Sequence, residues 1–234
     1  MELTCRRIVT ALGLFVLAAL GPASSAQQAP DRVAAIKQWL AQSKAQLKQY
    51  QWIETTVVSR KGEEKSREVS TCYYDVTGEV QQVPVTAPPE EEKKRGLRGM
   101  IIEKKKEEMT EYMKDAVGLV KSYVPPTPEK IQASKDAGKM SIDVLPGGTN
   151  VKVSFHDYGR VGDNLSITMD PATNHILGIS VATYIDDPKG VVLLDVSVSA
   201  LPDGTGYPSQ IVLDAKAEDL IVTVTKTGCR KAQL

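Results

Sequence analysis

Aromatic residues are scarce in this chain. Two tryptophans, eight tyrosines and two phenylalanines make up 5% of 234 residues. Histidine is scarcer, at two, and cysteine numbers three. Neither sign of charge is in excess, since 29 Lys and Arg balance 29 Asp and Glu. Each shortage excludes a class. A nucleic-acid binder held by phosphate contacts needs a basic surplus. With no HExxH, GxSxG or P-loop, the usual hydrolase and nucleotide signatures are missing. With no CxxC, neither a thioredoxin-type site nor a zinc knuckle is indicated. Apart from one N-terminal run, no stretch is long and apolar enough for a membrane helix, which excludes a polytopic membrane protein. A disordered chain would be less apolar than 41%, or more lopsided in charge.

What is present begins with an export signal. Arg6 and Arg7 form a positive n-region, and Ile8 to Leu20 is an apolar run of signal length. Gly21-Pro22 breaks it, and Ala23-Ser24-Ser25-Ala26 supplies small residues for cleavage after Ala26. Residues 1–26 are thus expected to be removed. The remaining 27–234 form one domain, periplasmic or secreted, with no transmembrane anchor. Cys5 precedes the apolar run, so it is no lipobox cysteine. Cys72 and Cys229 remain. In an oxidising compartment they are either a disulfide pair or two unrelated thiols. A bond closing so long a loop would contribute about 4–5 kcal/mol in the chain-entropy picture.

Apolar spacing then orders the elements. Asp31 reads as the N-cap of a helix ending near Gln49, with Val33, Ile36, Leu40 and Leu47 on one face and Trp39 beside it. Three strands follow, over 50–59, 65–75 and 79–85. A charge run at 90–96 leads into a helix over 97–123, interrupted by the solvated block 103–108. Pro125, Pro126 and Pro128 end it. A short helix spans Glu129 to Ala137, with Gly138 at its C′ position. Seven strands then recur at 139–145, 150–157, 164–170, 175–185, 191–201, 207–216 and 220–226, separated by Gly, Pro, Asn and Asp turns. Connections this short demand antiparallel neighbours.

The late strands alternate. Val151, Val153 and Phe155 share a face, as do Leu165, Ile167 and Met169, and then Leu177, Ile179 and Val181. The opposite face carries Lys152, Ser154, Ser166 and Thr168. One apolar and one wet face imply an α+β fold: a curved antiparallel sheet, a half-barrel of about ten strands, covered by two or three helices.

This layout resembles the periplasmic lipoprotein-carrier family of LolA/LolB type. The resemblance rests on the helix over 31–49, the strand opening Tyr50-Gln51-Trp52, the proline-bounded helices, and meander segments such as Asn164-Leu165-Ser166-Ile167-Thr168-Met169-Asp170. It implies a half-barrel wrapped around lid helices, with an apolar trough between them. The residues expected to line it are Trp52, Ile101, Met109, Tyr112, Met113, Leu119 and Phe155, with Met100 nearby. Each CH₂ of an acyl chain buried there would contribute roughly 0.8 kcal/mol. The same side chains also read as an ordinary packed core.

The remaining candidates are plain. His156-Asp157 lies at a strand end and His175 after a turn, and neither belongs to a catalytic motif. Asp186-Asp187 lacks the alternating spacing of a calcium loop. No catalysis, cofactor or metal is therefore expected. The reading is a binding module for an apolar ligand, a lipid or an acylated protein. Its rival is an envelope interaction or structural module of the same fold without a ligand.

Overall fold

A computed structural model describes residues 25–85, 111–185 without 113, 117, 120 and 121, and 190–232. The expected export signal up to residue 24, the charge run at 90–96, the block 103–108 and the acidic pair Asp186-Asp187 lie outside the described residues. The elements are α1 (Ser25–Leu47), β1 (Tyr50–Arg60), β2 (Glu63–Tyr74), β3 (Val80–Pro84), α2 (Pro128–Asp136), β4 (Met140–Val144), β5 (Val151–His156), β6 (Asn164–Met169), β7 (Ile176–Tyr184), β8 (Val191–Ala200), β9 (Gly206–Ala215) and β10 (Leu220–Lys231). Described residues between 111 and 123 are helical as well.

Helix α1 starts upstream of the expected cap at Asp31. The preceding Ala-Gln-Gln-Ala stretch consists of strong helix formers, which carry the helix through Pro30. α2 ends as its glycine predicts. Gly138 takes φ +69°, and the N–H groups of Gly138 and Lys139 close onto the carbonyls of Lys135 and Ser134.

All ten strands form one antiparallel sheet in the order β3-β2-β1-β10-β9-β8-β7-β6-β5-β4. The two meanders join where the first strand of one meets the last strand of the other, β1 on β10. β3 and β4 are therefore opposite edges, although the helical segment links them in sequence. Nine strand spacings of about 4.8 Å separate those edges along the sheet. The described residues of the helical segment cover the apolar face, since Ala116, Leu119 and Tyr123 are buried in the core against the sheet.

Register explains why this face is apolar. Paired residues point to the same side, so rows can be traced across the strands. One row runs Val224, Ile211, Val196, Ile179, Ile167, Val153, Ile142 from β10 to β4. Its neighbour runs Val222, Leu213, Leu194, Val181, Leu165, Phe155, Met140. The first row turns polar on β1 and β2 at Thr56 and Glu68, whereas the second reaches Val58 on β1, packed against the core, before turning polar at Ser66 on β2. One expected face is corrected. Leu177 is exposed and Ile176 is buried, because a bulge between Thr168 and Met169 pairs Met169 with Ile176.

Over β5–β7 the cover is tight. Ile131 of α2, Ala116, Phe155, Leu165 and Ile167 have no exposed surface. Tyr123 secures this cover. Its hydroxyl donates to Asp163 Oδ2 and lies 3.0 Å from Thr183 Oγ1. The same Asp163 oxygen accepts from the N–H groups of Gly159 and Arg160, at 2.9 and 2.8 Å. Burial, then the Asp163 bond, pushes the Tyr123 phenol up to about 12.

Candidate functional site

Under the second half of α1 the packing opens. A cavity of about 260 Å³ lies between α1 and the sheet. α1 lines it with Trp39, Leu40, Ser43, Lys44 and Leu47, which share one face at helical spacing. β1 contributes Tyr50 and Trp52, two apart and so on one side of the strand, and β2 contributes Tyr74. The wall continues through Ile179, Val196, Val198, Tyr207, Pro208, Ile211, Lys226 and Cys229, with Val124 and Pro125 at one side. Both tryptophans and three of the eight tyrosines meet in this one place.

Strand geometry accounts for the opening. β9 and β10 pair from Leu220↔Ala215 to Thr225↔Gln210. Beyond that pair β9 reaches back to Gly206, while β10 runs on to Lys231. Pro208 sits where the ladder stops and has no N–H to donate. A bulge between Ser197 and Val198 adjusts β8 to it on the other side. The parted strands present Tyr207, Pro208, Lys226 and Cys229 to the cavity. Above them, Trp39 rests on the Gly206 backbone, and a Cβ at 206 would lie 1.9 Å from the indole.

At the cavity floor, the Lys226 ammonium stands 4.7 Å from the centroid of the Trp52 ring. It lies 3.7 Å from Glu54 Oε2. Glu54 also accepts from Trp52 Nε1 at 3.2 Å and from Gln82 Nε2 at 3.0 Å. Tyr50 donates to Asp203 Oδ2 at 2.5 Å, tying the start of β1 to the turn before β9. That bond and those from Thr205 hold the Asp203 carboxyl down at about 2.

Of the two readings open for Cys72 and Cys229, the structure has the second: both thiols are free. Cys72 pairs with Trp52 across β1, and Cys229 lies beyond β1 on β10. Two strand spacings put their Cα atoms about 9–10 Å apart, past the roughly 7 Å a disulfide spans. Burial, then the charge of Glu54, pushes the Cys72 thiol up to about 11.

The expected lining residues divide. Trp52 is in the cavity. Phe155 and Leu119 are not in its wall; they are buried in the packed core, and Tyr112 packs against that core. Their stripe meets its cover closely, so it is filled rather than hollow. Ile101, Met109 and Met113, together with Met100, lie outside the described residues. Sequence reasoning passed over Tyr207, Pro208 and Lys226, and left Trp39 at the margin of its helix. The usable signal was a few scarce aromatics gathered at element ends.

The histidines do not converge. His156 pairs with Asn164 at the start of β6, and His175 follows the turn at its end. About 20 Å of strand separates the two positions. Among the described residues, no group of three His, Cys, Asp or Glu side chains could hold a metal ion. No described helix is long and apolar enough to cross a membrane.

No family model and no curated protein sequence matches the chain. Among solved structures it is similar to a DUF1329 family protein from Desulfovibrio piger, at 9% identity and a TM-score of 0.40, covering 86% of this chain and 93% of that one. It is also similar to a LolA superfamily protein from Nitrosomonas europaea, at 6% identity and a TM-score of 0.38, covering 86% of this chain and 94% of that one. These likenesses concern the fold.

Proposed function

We propose that this chain is an exported, carrier-like binding module that holds an apolar ligand, a lipid or the acyl group of a modified protein, between α1 and the sheet. One observation carries the reading. The aliphatic rows are sealed over β5–β7, yet beneath the second half of α1 they run into a cavity walled by aromatic and aliphatic side chains. Such a space favours apolar matter, because each buried CH₂ contributes roughly 0.8 kcal/mol and no hydrogen bond has to be found for it. The reading assigns the chain no chemical step, and its histidines stand apart.

Native mass spectrometry on protein purified without detergent tests this. Adducts of lipid mass that vanish on solvent extraction are expected. A bare chain mass that stays bare after incubation with a long-chain alcohol would overturn the reading. A second reading, a protein-interaction module of the same fold, is favoured by Val80, Val83 and Val85, exposed along the β3 edge. It predicts that bare mass, together with a stable protein complex that is lost when Val83 is changed to Lys.

A further inference from the structure

The cavity carries charge of one sign. Lys44 from α1 and Lys226 from β10 are in its wall, and no carboxylate among the described residues is. Lys226 is an unusual neighbour for so apolar a space. Its side chain is only 19% exposed, and its one ion-pair partner among the described residues, Glu54, stands at 3.7 Å. Glu54 is already engaged, taking hydrogen bonds from Trp52 and Gln82. An ammonium has three N–H donors, and one this largely buried, which donates no hydrogen bond among the described residues, calls for an acceptor. Lys44 stands in the last turn of the same helix that roofs the cavity and makes no ion pair among the described residues. Trp52 lies beneath Lys226 and fixes the direction of its head.

We propose that the occupant is a single-chain amphiphile with an anionic head, of the fatty-acid kind. Its chain lies along Ile179, Val196, Val198 and Ile211, and its head meets Lys226 and Lys44 at the wall. The inference rests on the cavity reading above and narrows it. A volume of about 260 Å³ falls just under the roughly 300–1,000 Å³ of ordinary small-molecule pockets, which leaves room for one chain and not several. Charge complementarity selects the head. A carboxylate gains charge-assisted hydrogen bonds there, a neutral hydroxyl gains weaker ones, and a quaternary ammonium is repelled.

The two tryptophans are both in the cavity wall, so their fluorescence reports occupancy without a label. The full chain is titrated with dodecanoate, dodecanol and dodecyltrimethylammonium below their micelle concentrations. Dodecanoate is expected to bind about tenfold or more tightly than dodecanol, and the cationic probe more weakly than either. K226M should remove the preference, weakening dodecanoate far more than dodecanol. K44M, at an exposed position where folding is not at stake, should reduce the preference in part. Equal binding of dodecanoate and dodecanol by the unmodified chain, or a preference that survives both variants, overturns the head-group inference and leaves the cavity reading standing. Binding of none of the three overturns both.

Discussion

Two halves of one concave face behave differently. Over β5–β7 the aliphatic rows meet α2 and the helical residues of 111–123, and side chains interlock to zero exposure. Over β8 and β9, Val196 and Ile211 of the first row, with Val198 beside them, face α1 across a cavity, while Leu194 and Leu213 of the second row stay in the packed core. The sheet face is equally apolar in both places. The cover makes the difference, and so does the ladder, which closes between β5 and β6 and opens between β9 and β10 beyond Gln210. An apolar stripe alone thus says that something will lie on it, without saying whether the fit is tight.

The largest effect should separate the halves directly. Phe155→Ala removes a fully buried ring from close packing and is expected to cost about 3–5 kcal/mol in urea unfolding. Val198→Ala, at the cavity wall and only partly buried, should cost about 1 kcal/mol, because its methyls already face a space. Equal costs would erase the distinction. Next come two substitutions that act on the covers. Tyr123→Phe leaves the buried Asp163 short of a donor and should cost about 1–3 kcal/mol. It should also alter the alkaline limb. The folded phenol titrates at about 12 against an ordinary value of 10.0, so its contribution is complete below pH 10 and fades as pH rises through 12. The variant should lack that fade. Gly206→Ala forces Trp39 off the β9 backbone and should cost about 1–3 kcal/mol, with a shift in tryptophan emission.

Thiol chemistry gives a smaller but sharper contrast. Near pH 8, iodoacetamide should label Cys229, which is in the cavity wall, before Cys72, which is fully buried with its thiol at about 11. In a chain prepared without residues 1–26, two thiols should be titratable on unfolding without reductant, whereas a disulfide would leave none. The smallest effect is at acid pH. The Asp203 carboxyl stands at about 2. The stability it lends is present above the ordinary carboxylate value near 3.8 and is lost as pH falls toward 2. Asp203→Asn should flatten that part of the acid unfolding curve.

Much of the fold was legible because alternation is local. Val151, Val153 and Phe155 announced their face, and turns such as Asp170-Pro171-Ala172-Thr173-Asn174 fixed the strand ends. Three things were not legible. Ile176 and Leu177 are both apolar, so alternation could not say that a bulge would bury the first and expose the second. The pairing of β1 with β10 spans nearly the whole chain, and no local pattern encodes it; the separation of Cys72 from Cys229 follows from it. The site was half legible. Trp52 belonged to it, while Phe155 and Leu119 belonged to the core, because a packed stripe and a cavity wall have the same composition.

Methyl NMR on the chain with added dodecanol tests the central claim most directly. The account predicts that Val196, Val198, Ile179 and Ile211 shift on titration while Leu165, Ile167 and Ile131 stay still. Shifts confined to the second group, or no shifts at saturation, would contradict it.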